Sequence, residues 1–214
     1  MTASVRDSAL PVVLLCLAAG YVDATGYLHH EVFAANMTGN TVLAAISLAG
    51  GDWAGAWARA STLLAFFGGA ALGGLLGRFG GLGARLPLWV EAALLGAACL
   101  AGAQHPAWLW LTLVAMGLQA TVMVDYHRTA VSTVVLTSSM ARLAQTLSAM
   151  LLPGPPAPGQ ARATPGPLAL TWACYFAGAA AAALAPALPV PALLPGAVLV
   201  ALTATVHTLG RGRD

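Results

Sequence analysis

Apolar runs follow one another from residue 9 to residue 208, most of them near the length that crosses a bilayer. This pattern constrains the fold more than any other feature of the chain. The runs fall at 9–29, 37–50, 57–78, 87–104, 107–125, 130–152, 168–187 and 190–208. A spanning helix needs about 20 mostly apolar residues, with a range of roughly 17–25. Charge is scarce to match. Hydrophobic residues make up 59% of the chain and charged residues 7%, where an ordinary globular domain carries about 25%. Such a surface cannot be mostly wet, so the expected fold is an all-α polytopic membrane protein, a single transmembrane domain over residues 1–214. A net charge of +2, widely dispersed, excludes a nucleic-acid footprint.

Two of the runs depart from the spanning pattern. Residues 37–50 are short for a span, and residues 130–152 contain Arg142 and Gln145. Arginine placement favours treating both as short or re-entrant elements beside about six transmembrane helices. All nine basic residues are arginine. If these two runs enter and leave on one side, then Arg6, Arg78, Arg85, Arg128, Arg162, Arg211 and Arg213 share one face of the membrane. Arg59 alone falls on the other. Cytoplasmic loops carry the arginine excess, which puts both termini inside. Trp53, Trp57, Trp89, Trp108, Trp110 and Trp172 then sit near span ends, as an aromatic belt does. Arg6 followed by an apolar run has the general shape of a signal peptide, but the run continues to Leu28 and reads as a retained first helix. The Pro/Gly-rich stretch from Leu152 to Gln160 cannot be helical, and an inner loop is expected over about 153–167. The lysine-free, alanine-rich composition points to a bacterial protein, hence a multi-pass inner-membrane location.

The two halves of the chain resemble each other, over about 9–104 and about 107–208. Phe67-Gly-Gly-Ala-Ala71 matches Phe176-Ala-Gly-Ala-Ala180. Gly20-Tyr-Val-Asp-Ala24 occupies the place of Gly117-Leu-Gln-Ala120, and Asn36-Met-Thr-Gly-Asn40 that of Val135-Leu-Thr-Ser-Ser139. Three spans and one partial element per half would turn the second half upside down. Inverted repeats with broken helices and a midplane site are a transporter architecture. Alanine- and glycine-rich helices also match by chance; three matches in the same order favour a repeat.

The polar residues inside the runs are the candidate site. Asp23 lies well within the first span, where a charge costs about 2.5–3.5 kcal/mol and normally faces a cavity or a partner. Asn36, Thr38, Gly39 and Asn40 place two amides, a hydroxyl and a glycine before an apolar helix. Thr38 or Asn40 is the expected N-cap. A helix starting inside the membrane aims its free N–H groups and positive dipole end at the cavity; the same residues also read as a plain cap at the interface. Gln119 and Thr137 are their second-half counterparts. Arg142 either snorkels to the inner surface or lends charge to the cavity, with Asp23 as its partner. Glu91, beside Trp89, reads as interfacial, and Asp125, His127 and Arg128 as wet. Cys16, Cys99 and Cys174 are too scattered for a disulfide framework. No metal site or cofactor follows from the sequence.

At these residues the chain resembles the YoaK-like family of bacterial membrane proteins, the domain of unknown function 1275. The likeness rests on Gly20-Tyr-Val-Asp-Ala24, Phe33-Ala-Ala-Asn-Met-Thr-Gly-Asn40, Phe66-Phe67-Gly68 and Met116-Gly-Leu-Gln-Ala120, and covers most of the chain. Thr137-Ser138 departs from it, standing where the family usually has Thr-Gly. The resemblance implies a polytopic helical inner-membrane protein and carries no settled activity.

The functional expectation is a transporter or channel for a small solute or ion, with the bilayer as its other partner and Asp23 as the residue for proton or cation coupling. A homodimer is one way for so short a chain to enclose a pathway. The alternative is a non-catalytic scaffold or accessory subunit. An enzyme is not expected, because no nucleophile–base pair, metal triad or phosphate loop is present in the sequence.

Overall fold

The computed structural model describes residues 9–78, 85–126, 129–132, 136–151, 164–185 and 190–211. Among these residues the chain forms eight helices. They are α1 (Leu10–His30), α2 (Met37–Ala49), α3 (Trp53–Leu76), α4 (Arg85–Ala101), α5 (Pro106–Ala120), α6 (Leu136–Leu151), α7 (Pro165–Leu184) and α8 (Leu194–Arg211). Prolines in the first turns of α1, α5 and α7 occupy positions whose N–H groups have no helical partner in any case. Three helices, α1, α3 and α7, are long and apolar enough to cross a membrane; α2, α4, α5 and α8 are shorter apolar helices.

A short antiparallel hairpin, β1 (Met123–Tyr126) with β2 (Thr129–Ser132), interrupts what reads in the sequence as two continuous apolar runs. Thr121 caps α5, and the β-branched residues Val124, Thr129 and Val131 then suit a pleated strand better than a helix. The side chains of Asp125, His127 and Arg128 lie outside the described residues, as do residues 153–163 of the expected 153–167 loop. The end of that loop differs from expectation, since Pro165 to Pro167 already belong to the first turn of α7, where prolines cost no helical hydrogen bond.

The core is formed where α1, α4, α5 and α8 meet. Val12, Leu15, Cys16, Leu88, Leu95, Trp108, Met116 and Val200 are buried there. By contrast, large apolar side chains crowd the outside of α3 and α7, with Phe67 71% and Phe176 62% exposed. Water would not tolerate so continuous an apolar exterior, whereas lipid would. This is a membrane protein by construction.

Contacts along the chain give the helix directions. His29 and His30, at the end of α1, lie against the ring of Trp108 near the start of α5, at 5.7 and 5.0 Å. Gln119, at the end of α5, donates from Nε2 to the carbonyl of Leu15 at 2.9 Å. So α5 runs antiparallel to α1. Gly69 meets Val114 and Gly73 meets Thr121, so α3 runs parallel to α5. Asn40 faces Thr62, and Arg59 donates to Ser47 at 2.7 Å, so α2 runs antiparallel to α3. It follows that α2 points the same way as α1.

Four glycines set the closest helix crossings. A Cβ at Gly20 would overlap the Tyr175 carbonyl, and one at Gly178 the carbonyl of Leu17, where α1 crosses α7. A Cβ at Gly117 would overlap the Phe66 carbonyl, and one at Gly69 that of Val114, where α3 crosses α5. Small residues allow this backbone approach, which supplies the van der Waals contact that holds helices together in lipid. Gly117→Leu is expected to destabilise the fold by about 1–3 kcal/mol or more through overpacking. Gly68→Leu, where nothing lies within 4 Å, is expected to leave stability nearly unchanged. Thermal unfolding of the two variants in detergent checks the contrast.

Candidate functional site

Asp23 sits on α1 one turn beyond the Gly20 crossing and is 5% exposed. Its Oδ1 accepts from the backbone N–H groups of Ala35 at 2.5 Å and Asn36 at 3.0 Å, and its Oδ2 accepts from the Tyr175 hydroxyl at 2.5 Å. The carboxylate thus joins three elements: α1, the segment before α2, and α7. After α1 ends, Glu31 takes a left-handed conformation, φ 54°, and its N–H donates to the Tyr27 carbonyl. The chain then doubles back to the level of Asp23 before α2 begins.

The Asn36–Asn40 element divides its work residue by residue. Asn36, not Thr38 or Asn40, is the N-cap: its Oδ1 accepts from the Gly39 N–H at 3.2 Å. The physical reason is that helical geometry starts at Met37, earlier than expected, which leaves Thr38 in the first turn. Gly39 leaves room for the Phe33 ring, which a Cβ would crowd. Asn40, 1% exposed, clasps the backbone of Phe33 at both ends, accepting from its N–H at 3.0 Å and donating to its carbonyl at 2.7 Å. The segment before α2 has no helical ladder of its own, so these side chains satisfy groups that burial would otherwise leave unpaired.

Between α1, α2, α6 and α7 lies a cavity of about 460 Å³. Of the candidate residues, Asp23, Asn36, Thr38 and Thr137 line it, with Phe33, Phe66, Ala120 and Tyr175. Gly39 and Asn40 are not among its lining residues. Gln119 is buried and turned toward the Leu15 carbonyl, and Arg142 is exposed on α6 and not in the lining. The partners that the structure gives Asp23 are backbone amides and a phenol rather than Arg142. Tyr175 was not an expected site residue. The signal for it lay in the repeat, where the match of Phe67 to Phe176 sets a tyrosine opposite Phe66.

Glu91 departs from its expected interfacial place. It is fully buried on the α4 face that carries Leu88 and Leu95, and neither carboxyl oxygen has a hydrogen-bond partner among the described residues. The helical period explains this: positions 88, 91 and 95 share one stripe, and that stripe faces α5 and α8.

Tyr175→Phe is expected to cost about 1.5–3 kcal/mol, the worth of a hydrogen bond to a charged group. Asn40→Ala is expected to cost about 1–3 kcal/mol, because it strands the amide and carbonyl of Phe33. Thermal unfolding of the purified variants in detergent measures both.

The profile of the family described as "Protein of unknown function (DUF1275)" matches residues 12–206, and the chain belongs to that family. No curated protein and no solved structure matches it.

Proposed function

We propose that this member of the DUF1275 family is a transporter or channel for a small solute, built from two inverted halves over about 9–104 and 107–208. The observation that carries this reading is the cavity, which residues from corresponding places in the two halves line together. Aligned on Gly20 and Gly117, Asp23 corresponds to Ala120 rather than to Gln119, Phe66 to Tyr175, and Thr38 to Thr137, and all six are in its wall. Cavities of a few hundred Å³ that combine apolar walls with a few placed polar groups are the usual form of small-molecule sites.

Further observations support the halves. Exchanging α1 with α5, α2 with α6, α3 with α7 and α4 with α8 maps the principal helix contacts onto themselves. The pair α1–α7 becomes α5–α3, α2–α3 becomes α6–α7, and α4–α5 becomes α8–α1. The glycine crossings follow the same exchange, with Gly20 on Tyr175 matched by Gly117 on Phe66. Because α5 runs antiparallel to α1, the relation between the halves is an inversion. In this reading α1, α3, α4, α5, α7 and α8 are the six spans, and α2 and α6 enter from opposite sides and stop at the cavity. Both termini lie on the arginine-rich, cytoplasmic side of the cell membrane. Asp23 is the residue through which a proton or cation couples to the solute.

Two experiments test this. With the native cysteines replaced, a cysteine at position 52 or 104 is expected to react with an impermeant maleimide in intact cells, and one at position 80 or 160 only after permeabilisation. In proteoliposomes, a panel of small solutes is expected to contain at least one whose flux Ala120→Trp, which fills the cavity, abolishes. Flux that Ala120→Trp leaves unchanged would remove the cavity from the pathway. If Asp23→Asn leaves both folding and flux unaltered, the coupling role is wrong.

A further inference from the structure

The chemistry of the cavity wall narrows what it can hold. Among the described residues that line it, Asp23 is the sole charged group; no arginine or histidine is among them, and the chain has no lysine. Two backbone N–H groups donate to Asp23 Oδ1 and the Tyr175 hydroxyl lies 2.5 Å from Oδ2, contacts that favour the ionised carboxylate over the neutral acid. Tyr175 and the two amides orient that carboxylate, but they bring no full positive charge. An anionic solute would therefore meet like charge in a partly open space with mostly apolar walls, where repulsion is stronger than in water.

The remaining wall is aromatic and aliphatic. Phe33, Phe66 and Tyr175 border the same space as Asp23. Aromatic faces beside a carboxylate suit an ammonium group, because the ring quadrupole attracts a cation that the carboxylate also neutralises. The rings equally suit an apolar body attached to that ammonium. Thr38 and Thr137 add hydroxyls near the starts of α2 and α6, enough to meet one further polar group of the solute.

Resting on the reading of this cavity as a solute site, we propose that its substrate class is a small organic cation: an amine protonated at neutral pH, with an apolar body. The ammonium sits against Asp23 and the body against Phe33 and Phe66.

The test is calorimetric titration of the full chain in nanodiscs with three probes of one shape: phenethylammonium, 2-phenylethanol and phenylacetate. Phenethylammonium is expected to bind about 10–100-fold tighter than the alcohol, as a charged partner implies, and phenylacetate not at all. Ala120→Trp is expected to abolish phenethylammonium binding. Because Asp23 also holds the segment before α2, a second variant keeps that anchor. Phe66→Leu is expected to weaken the ammonium by about 3–30-fold while changing the alcohol little. If the alcohol or the carboxylate binds as well as the ammonium, and Ala120→Trp blocks it, the cation class is overturned and the transport reading stands. If phenethylammonium binds equally to the Ala120→Trp variant, or no probe binds, the proposed site is overturned. Solute flux in proteoliposomes then decides the transport reading separately.

Discussion

The Asp23 carboxylate is the interaction on which the middle of this structure depends. Residues 31–36 leave the helical ladder and return into the bundle, carrying backbone amides that lipid cannot satisfy. Non-helical backbone at such depth survives only where protein buries it or a cavity hydrates it. Asp23 accepts from two of those amides, and Asn40 takes up both polar groups of a third residue, Phe33. Together they fix where α2 begins. Because Tyr175 donates to the same carboxylate, α7 is tied to this point as well. One acidic side chain therefore joins α1, the segment before α2 and a residue of α7 152 positions away.

Around that point the frame is set by close backbone contact rather than by polar bonds. The crossings at Gly20 and Gly178, and at Gly69 and Gly117, bring helices together at two corresponding places. The polar chemistry does not follow the same correspondence. Where one crossing is bordered by Asp23 and Tyr175, the other is bordered by Ala120 and Phe66. Asp23 and Tyr175 therefore make one side of the cavity polar, while Ala120 and Phe66 leave another apolar. In the proposed reading, that asymmetry gives the site its chemical preference.

Much of this was legible in the sequence. Long apolar runs with few charges announced the helical membrane fold. Asp23 and the Asn36–Asn40 element stood out because polar residues are costly in such runs. Individual roles within the element were not legible. Asn36, Thr38 and Asn40 are each able to cap a helix, and only the position of the first helical residue decides among them. Glu91 was misread because nearness to Trp89 in sequence says nothing about which stripe of the helix turns inward. The hairpin at 123–132 was hidden because each strand is only four residues long and its apolar residues, such as Val124 and Val131, merge with the apolar helical runs on either side. Tyr175 escaped notice because a tyrosine in an apolar helix is ordinary until its hydroxyl is seen to face a buried acid.

The central claim, that Asp23 holds the broken segment inside the bundle, is tested most directly by amide hydrogen exchange in nanodiscs, comparing the natural chain with Asp23→Asn. An amide cannot accept as strongly as a carboxylate from two N–H donors and a phenol. Peptides covering residues 33–40 should therefore lose protection, while those from α4 and α8 keep theirs. Unchanged exchange across 33–40 in a folded variant would contradict the account, because the segment would then be held without its anchor.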